Sequence, residues 1–506
     1  MKTFLMYKNR DFDLKQKLPL NEPALTQDLE LNTLFNTMAL DDDFLFKVAK
    51  SVVLSGLDDP DIIIYRQNIL KDCLKNASIV RDIYHISIEP IEYKRKQWFG
   101  IGTFSQSPGL ILHSSIGMLQ MFAGLLEKIK NIADEYAGKF DSEGFTAFFA
   151  MIKKELDDEY FTSVQNHLKE LKFPNGVLVS AELGKGNEGT NYILRKPQEK
   201  QQSWIKQIFA AKTPEYTFRI ANRDEAGARA LGELRDRGIN LVANALAQSA
   251  DHIDTFFNML RIELAFYIGC LNLYEQLVQM GEPVSFPLPV AFNERRHSFG
   301  GLYDICLALT MKQKIIGNDV KADNKDLVVI TGANQGGKSV FLRSIGLAQL
   351  MMQCGMFVPA ESFCANVSDG LFTHFKREED VTMKSGKLDE ELGRMSQIVD
   401  HLTSNSMVLF NESFAATNER EGSEIARQIT NALLEKHIKL FFVTFLYEFA
   451  HGFYGQRMED SIFLRAERQA DGIRDFKLIE GEPMQTSYGE DLYNRIFGTD
   501  IIISQL

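Results

Sequence analysis

The chain has 506 residues, 45% of them hydrophobic and 25% charged, with a formal net charge of -12. That length exceeds what one hydrophobic core serves and predicts about two to four domains of an ordinary soluble protein. The acidic balance argues against a uniformly basic nucleic-acid coat, though not against a local basic face. The scattered cysteines (Cys73, Cys270, Cys306, Cys354 and Cys364), with no CxxC pair, point to buried free thiols rather than a disulfide framework or zinc site.

The first ten residues soon turn polar and lack the apolar core of a signal peptide. No uncharged apolar run reaches the length of about 18 residues that a spanning helix needs, and the richest stretch, Leu264 to Val278, is interrupted by Asn272, Glu275 and Gln276. A cytoplasmic protein with no membrane segment is expected. About the first 300 residues read as mostly helical. Between Pro108 and Pro174 there is no proline, and Leu119, Met121, Phe122, Leu125, Leu126 and Ile129 fall at helical spacing. A second proline-free run lies between Pro214 and Pro283, with a persistent apolar face from Leu231 to Leu260. One helix over most of that run would have about 50–60 residues and span roughly 75–90 Å, the length of a lever or arm. The alternative is two or three shorter helices broken at Gly232 or Gly238.

Between these helical blocks lies Gly184 to Tyr216, glycine-rich at first and then basic, with Arg195, Lys196, Lys200, Lys206 and Lys212 against one acid, Glu199. Such a segment is either a solvated loop or the tip of an arm that meets a polyanionic backbone such as DNA. After Pro289 the pattern changes. The short apolar runs Leu327–Ile330, Met407–Phe410 and Leu440–Thr444 alternate with helical patterns, which indicates a parallel α/β domain.

The first of those runs leads into Gly332-x4-Gly337-Lys338-Ser339, and the helix-like stretch Val340 to Met352 follows. Strand, glycine loop and helix in that order form a phosphate loop, in which converging backbone N–H groups and a helix N-terminus receive an anion. ATP and Mg²⁺ are the expected cofactors. Lys338 is placed to reach the β- and γ-phosphates, and the Ser339 hydroxyl to hold Mg²⁺. A phosphate loop predicts an acid at the end of a second apolar strand, and Met407–Phe410 ends in Asn411-Glu412. Glu412 is the candidate to orient or deprotonate the attacking water. Asn411 stands where an aspartate normally supports Mg²⁺ through water. An amide can still accept from that water but lacks the charge.

At this point the residues resemble a known family. Thr331-Gly332-Ala333-Asn334-Gln335-Gly336-Gly337-Lys338-Ser339 is similar to the Thr-Gly-Pro-Asn-Met-Gly-Gly-Lys-Ser loop of the MutS mismatch-repair ATPases. Glu412 corresponds to that family's second-strand glutamate. Ser385, with Glu390 behind it, resembles the start of its Ser-Thr-Phe-x-x-Glu segment, which in dimers faces the partner's nucleotide. Asn318-Asp319 resembles the pair that leads into the family's ATPase domain, and Ser487-Tyr488-Gly489 its element near the C-terminus. Ile64 to Leu70 is similar to the start of the MutS core.

The resemblance implies a multidomain protein, with a mostly α-helical core and lever region over 1–299 and an α/β phosphate-loop ATPase domain of the ABC type over 300–506. The nucleotide site would comprise Gly332, Ala333, Asn334, Gln335, Gly336, Gly337, Lys338, Ser339 and Asn318, with Ser385 supplied in trans by the second copy of a homodimer. Ser339 and, through water, Asn411 would serve the metal, and DNA would be the partner. Three departures qualify this. The chain begins almost directly at the core, so the family's mismatch-reading domain is not expected. Asn411 replaces the family's aspartate. Phe445 stands where the family's Ala-Thr-His places a histidine that senses the γ-phosphate. Two readings therefore stand, a DNA-associated ATPase with moving levers and a hydrolysis-impaired, nucleotide-gated scaffold or clamp. A third, another ABC- or SMC-type ATPase, finds only the poor signature match Met383-Lys384-Ser385-Gly386.

Overall fold

A computed structural model describes residues 1–98, 107–174, 176–196, 216–377, 386–467 and 475–484. They fall into two compact units, Met1–Thr3, Arg81–Lys139 and Ala147–Arg261 in one, and Phe4–Val80, Phe140–Thr146 and Ile262–Leu506 in the other.

The first unit is built from long helices. Ser107 caps Pro108–Tyr136, and proline at the first helical position supplies a preset φ where no N–H is needed. The expected spacing holds: Leu119, Phe122, Leu125, Leu126 and Ile129 are buried, and Phe122 stacks on Phe257 with centroids 5.7 Å apart. The proline-free run holds one continuous 56-residue helix, Glu225–Met280, of which the part to Arg261 belongs to this unit and the part from Ile262 to the other. Gly238 does not break it. A Cβ there would lie 2.5 Å from the Val179 side chain, so this glycine makes room for a hairpin, β1 (Leu178–Leu183) with β2 (Gly189–Arg195). Against the expectation that no stretch is long and apolar enough to span, the helical span Pro108–Lys139 and the helix Glu225–Met280 each pass by length and composition alone. The most apolar part of Glu225–Met280 is 78% buried, as in the core helix of a soluble protein.

In the second unit residues 5–12 form a strap over buried polar anchors. The Glu263 carboxylate accepts from the Leu5 and Phe12 amides at 2.7 and 3.1 Å, and Arg66 Nε donates to the Met6 carbonyl at 2.9 Å. Two sheets follow. A mixed four-stranded sheet has the order β3 (Leu288–Val290), β7 (Ser362–Asn366), β4 (His297–Leu302), β5 (Asn318–Lys321). The larger sheet runs β12 (Leu478–Glu480), β11 (Ser461–Ala466), β6 (Leu327–Gly332), β10 (Lys439–Val443), β9 (Met407–Asn411), β8 (Leu371–Phe375). Its strands are parallel except β12. Its central strands read as continuous apolar runs because helices cover both faces. Val329, Phe410, Phe442 and Phe449 share one core, with Phe410 and Phe442 stacked 4.7 Å apart.

The register fixes where chemistry can gather. Val443 pairs with Ile330 and with Asn411, and Ala466 pairs with Gly332. The C-terminal ends of β6, β9, β10 and β11 are therefore level, and the loops after them open at one edge, where parallel α/β sheets bind ligands.

Candidate nucleotide site

The loop after β6 is shaped by its glycines. Gly332 has φ +106° and Gly337 +83°, left-handed values that favour residues without Cβ. A Cβ on Gly336 would lie 2.7 Å from that of Ala466 and 2.9 Å from the Ala333 carbonyl, so the close turn also depends on glycine there. Within the loop Ala333 is buried, Asn334 half-buried and Gln335 exposed, the last with φ +58°. The helix Lys338–Gln353 begins directly after Gly337, which directs its free N–H groups at the loop.

Lys338 is buried. Its Nζ donates to the Gly332 and Ala333 carbonyls at 2.9 and 2.8 Å and lies 4.4 Å from the centroid of the Phe445 ring. The ammonium is thus held by its own loop and by a cation–π contact. The next residue crosses to β9: Ser339 Oγ donates to Asn411 Oδ1 at 2.8 Å. Glu412 follows, half-buried, with φ +54°, its amide bonded to the Val443 carbonyl at 2.9 Å and its carboxylate 4.0 Å from Lys376 Nζ.

Lys338, Ser339, Asn411, Glu412 and Phe445 therefore gather at one sheet edge, as the two strand–loop signals imply. Asn318 is more remote. Its side chain is spent on the backbone of the strand-leading segment, donating to Phe476 O at 3.2 Å and accepting from Leu478 N at 2.8 Å. It meets the loop indirectly, because Phe476 approaches Gly337 to 3.5 Å of where a Cβ would stand. Ser385 and Ser487-Tyr488-Gly489 lie outside the described residues. Glu390 lies on the helix Lys387–Val399, paired with Arg394 one turn on. In the basic segment, Arg195 donates to Ser180 Oγ at 2.9 Å and Lys196 pairs with Glu170, also at 2.9 Å, while 197–215 lie outside the described residues. Sequence reasoning did not reach Lys376, His374, Ser413 or Phe476. No local motif marks them, because each reaches the site through strand pairing or a chain reversal.

Two family models match the chain, the MutS2 N-terminal domain over residues 58–280 and MutS domain V over residues 328–503. The chain belongs to the MutS family. Curated relatives include the DNA mismatch repair protein MutS of Thermotoga maritima, 34% identical over 161 residues, which are 32% of this chain and 20% of that protein. The Thermus aquaticus protein of the same name is 27% identical over 230 residues, 46% of this chain and 28% of the relative. That of a Synechococcus strain is 26% identical over 307 residues, 58% and 33%. The match thus spans a fifth to a third of the length of these MutS relatives.

Proposed function

We propose that this MutS-family chain is an ATP- and Mg²⁺-dependent ATPase that binds DNA as a cytoplasmic homodimer. Residues 300–506 would form its ATPase domain and 1–299 its core and lever. The observation that carries the reading is the junction of loop and second strand, with Ser339 Oγ on Asn411 Oδ1 beside a buried Lys338 and a half-buried Glu412.

A nucleotide and its metal fit these residues. The glycine cradle at 332–337 has no room for side chains at Gly336, and the donor set matches: an ammonium and helix N–H groups for phosphate, and hydroxyl and amide oxygens for a hard cation. Lys338 and the backbone of Gly332–Ser339 would hold the phosphates. Ser339 would meet Mg²⁺ directly and Asn411 through water. Bound Mg²⁺ neutralises charge that develops on the phosphate oxygens. Glu412 would orient water and accept its proton, with Lys376 Nζ 4.0 Å from its carboxylate. DNA contact, movement of the 56-residue helix as a lever, and completion of each site by Ser385 from the second copy extend the same reading.

A second reading has its own observation. Asn411 brings no charge to the metal, and Phe445, unable to donate a hydrogen bond, covers Lys338. A chain that binds ATP, switches and hydrolyses slowly would serve as a nucleotide-gated clamp or scaffold. Steady-state turnover of the wild type, compared with Glu412→Gln, separates the two. Turnover well above the variant supports the ATPase, and tight binding with turnover equal to the variant supports the clamp. Salt-dependent binding to duplex, junction and single-stranded DNA, with and without ATP, tests the partner, and no affinity for any of them would remove it.

A further inference from the structure

The turn that carries Glu412 is held in an unfavourable backbone conformation from outside itself. Glu412 and Phe414, neither of them glycine, have φ +54° and +63°. Left-handed conformations are unfavourable for a non-glycine residue and persist only where the surroundings over-determine them. Those surroundings include β10, whose Val443 carbonyl accepts from the Glu412 amide at 2.9 Å, and two further elements. From β8, His374 grips Ser413: the Ser413 hydroxyl lies 2.6 Å from the His374 carbonyl and 2.7 Å from its Nδ1. The Phe414 ring, fully buried, stacks on the His374 ring at 5.1 Å and 20°. From the helix Lys387–Val399 comes Glu391, whose carboxyl pKa is pushed up by burial and drawn back down by Arg394 and the Phe414 backbone. His374 closes the triangle, its Nε2 donating to the Glu391 carbonyl at 2.9 Å.

The protonation pattern follows from these partners. A carbonyl only accepts, so Nε2 carries the ring proton. Burial, with Arg394 and Arg377 nearby, pushes the His374 pKa down to about 4, so Nδ1 is bare at neutral pH. The single proton of Ser413 then has two acceptors in reach, the His374 ring and the His374 carbonyl. All these atoms are buried, so losing any one partner leaves an unsatisfied polar group.

We propose that His374 is a positioning residue that couples the turn bearing Glu412 to the helix bearing Glu390, so that nucleotide binding at the phosphate loop is felt along Lys387–Val399. Ser339 to Asn411 brings the signal into β9, Ser413 and Phe414 pass it to His374, and the Glu391 carbonyl and carboxylate receive it. The inference rests on the nucleotide-site reading but needs no hydrolysis, so it holds for an ATPase and a clamp alike.

Hydrogen–deuterium exchange on the full chain tests it, with and without Mg²⁺ and a non-hydrolysable ATP analogue. In the wild type the analogue should protect peptides covering 332–343, 407–414 and 387–399 together. In His374→Leu the loop peptide should still gain protection while the gain at 387–399 falls by at least about half. Ser413→Ala, a smaller change, should act in the same direction, and it carries the test if His374→Leu fails to fold. His374→Gln, whose amide can donate to the Glu391 carbonyl, should retain most of the gain. The proposal is overturned if the helix peptide responds equally in all variants, or if the wild-type loop is protected while 387–399 is silent. No protection at 332–343 in the wild type would instead remove the nucleotide reading itself, and the coupling with it.

Discussion

The phosphate loop and the turn after β9 stand at the same edge of one sheet and are held in opposite ways. The loop is held largely from within. Gly332 and Gly337 take two of its three left-handed positions, with Gln335 the third, Lys338 bonds to the loop's own carbonyls, and the helix begins at Lys338. Its outside contacts include Ala466 and Phe445. The turn places non-glycine residues at left-handed positions and depends on β8, β10 and the helix Lys387–Val399 to keep them there. Under the proposed function, phosphate capture would fall to the locally held element, and water alignment to the one whose geometry other parts of the fold can set.

Substitutions can break or sharpen that contrast. The largest effect is expected for Glu412→Gln, which removes the base and keeps the shape. If the wild type is an ATPase, turnover in a phosphate-release assay should fall about 100-fold or more with nucleotide affinity nearly unchanged. Gly336→Ala attacks the loop's own geometry. Its Cβ would meet Ala466 and the Ala333 carbonyl, so nucleotide affinity should drop about tenfold or more in a titration while turn residues remain in place. Phe445→His restores a hydrogen-bond donor beside Lys338, and turnover should rise several-fold, of the order expected from one added donor. A fall instead would mean that the ring over Lys338 aids the reaction.

The smallest effect concerns stability. Lys439 begins β10, whose Val443 carbonyl holds the Glu412 amide, and burial, with Arg295 near, lowers its pKa to about 7. The folded state thus binds that proton less well than the unfolded chain. Its contribution to stability declines as pH falls from the ordinary lysine range towards 7 and is level below that. Lys439→Met should raise the melting temperature by about 2–4 °C at pH 6 and by less at pH 10, read by differential scanning calorimetry.

The loop was legible because its requirements are local. Glycine at 332 and 337, lysine and serine after them, and an apolar strand before them form one contiguous pattern, whereas the hydrogen bond of Ser339 to Asn411 is seen only in the structure. The long helix was legible from the absence of proline and the steady apolar face, although only the structure shows that Gly238 accommodates Val179 rather than breaking the helix. The four-stranded sheet was missed because its strands are short and distant in sequence. His374 and Ser413 could not be found by spacing, since 38 residues separate them and only parallel pairing of β8 with β9 brings them together. Asn318 was read as a nucleotide contact from resemblance, and in this structure its side chain bonds to the backbone of Phe476 and Leu478.

Titration of the full chain with Mg²⁺ and ATP, for the wild type and for Lys338→Ala, tests the central claim most directly. The account predicts saturable binding by the wild type and a loss of about 100-fold or more in affinity when Lys338 is removed. Equal affinity in the two proteins, or no binding by the wild type, would contradict it.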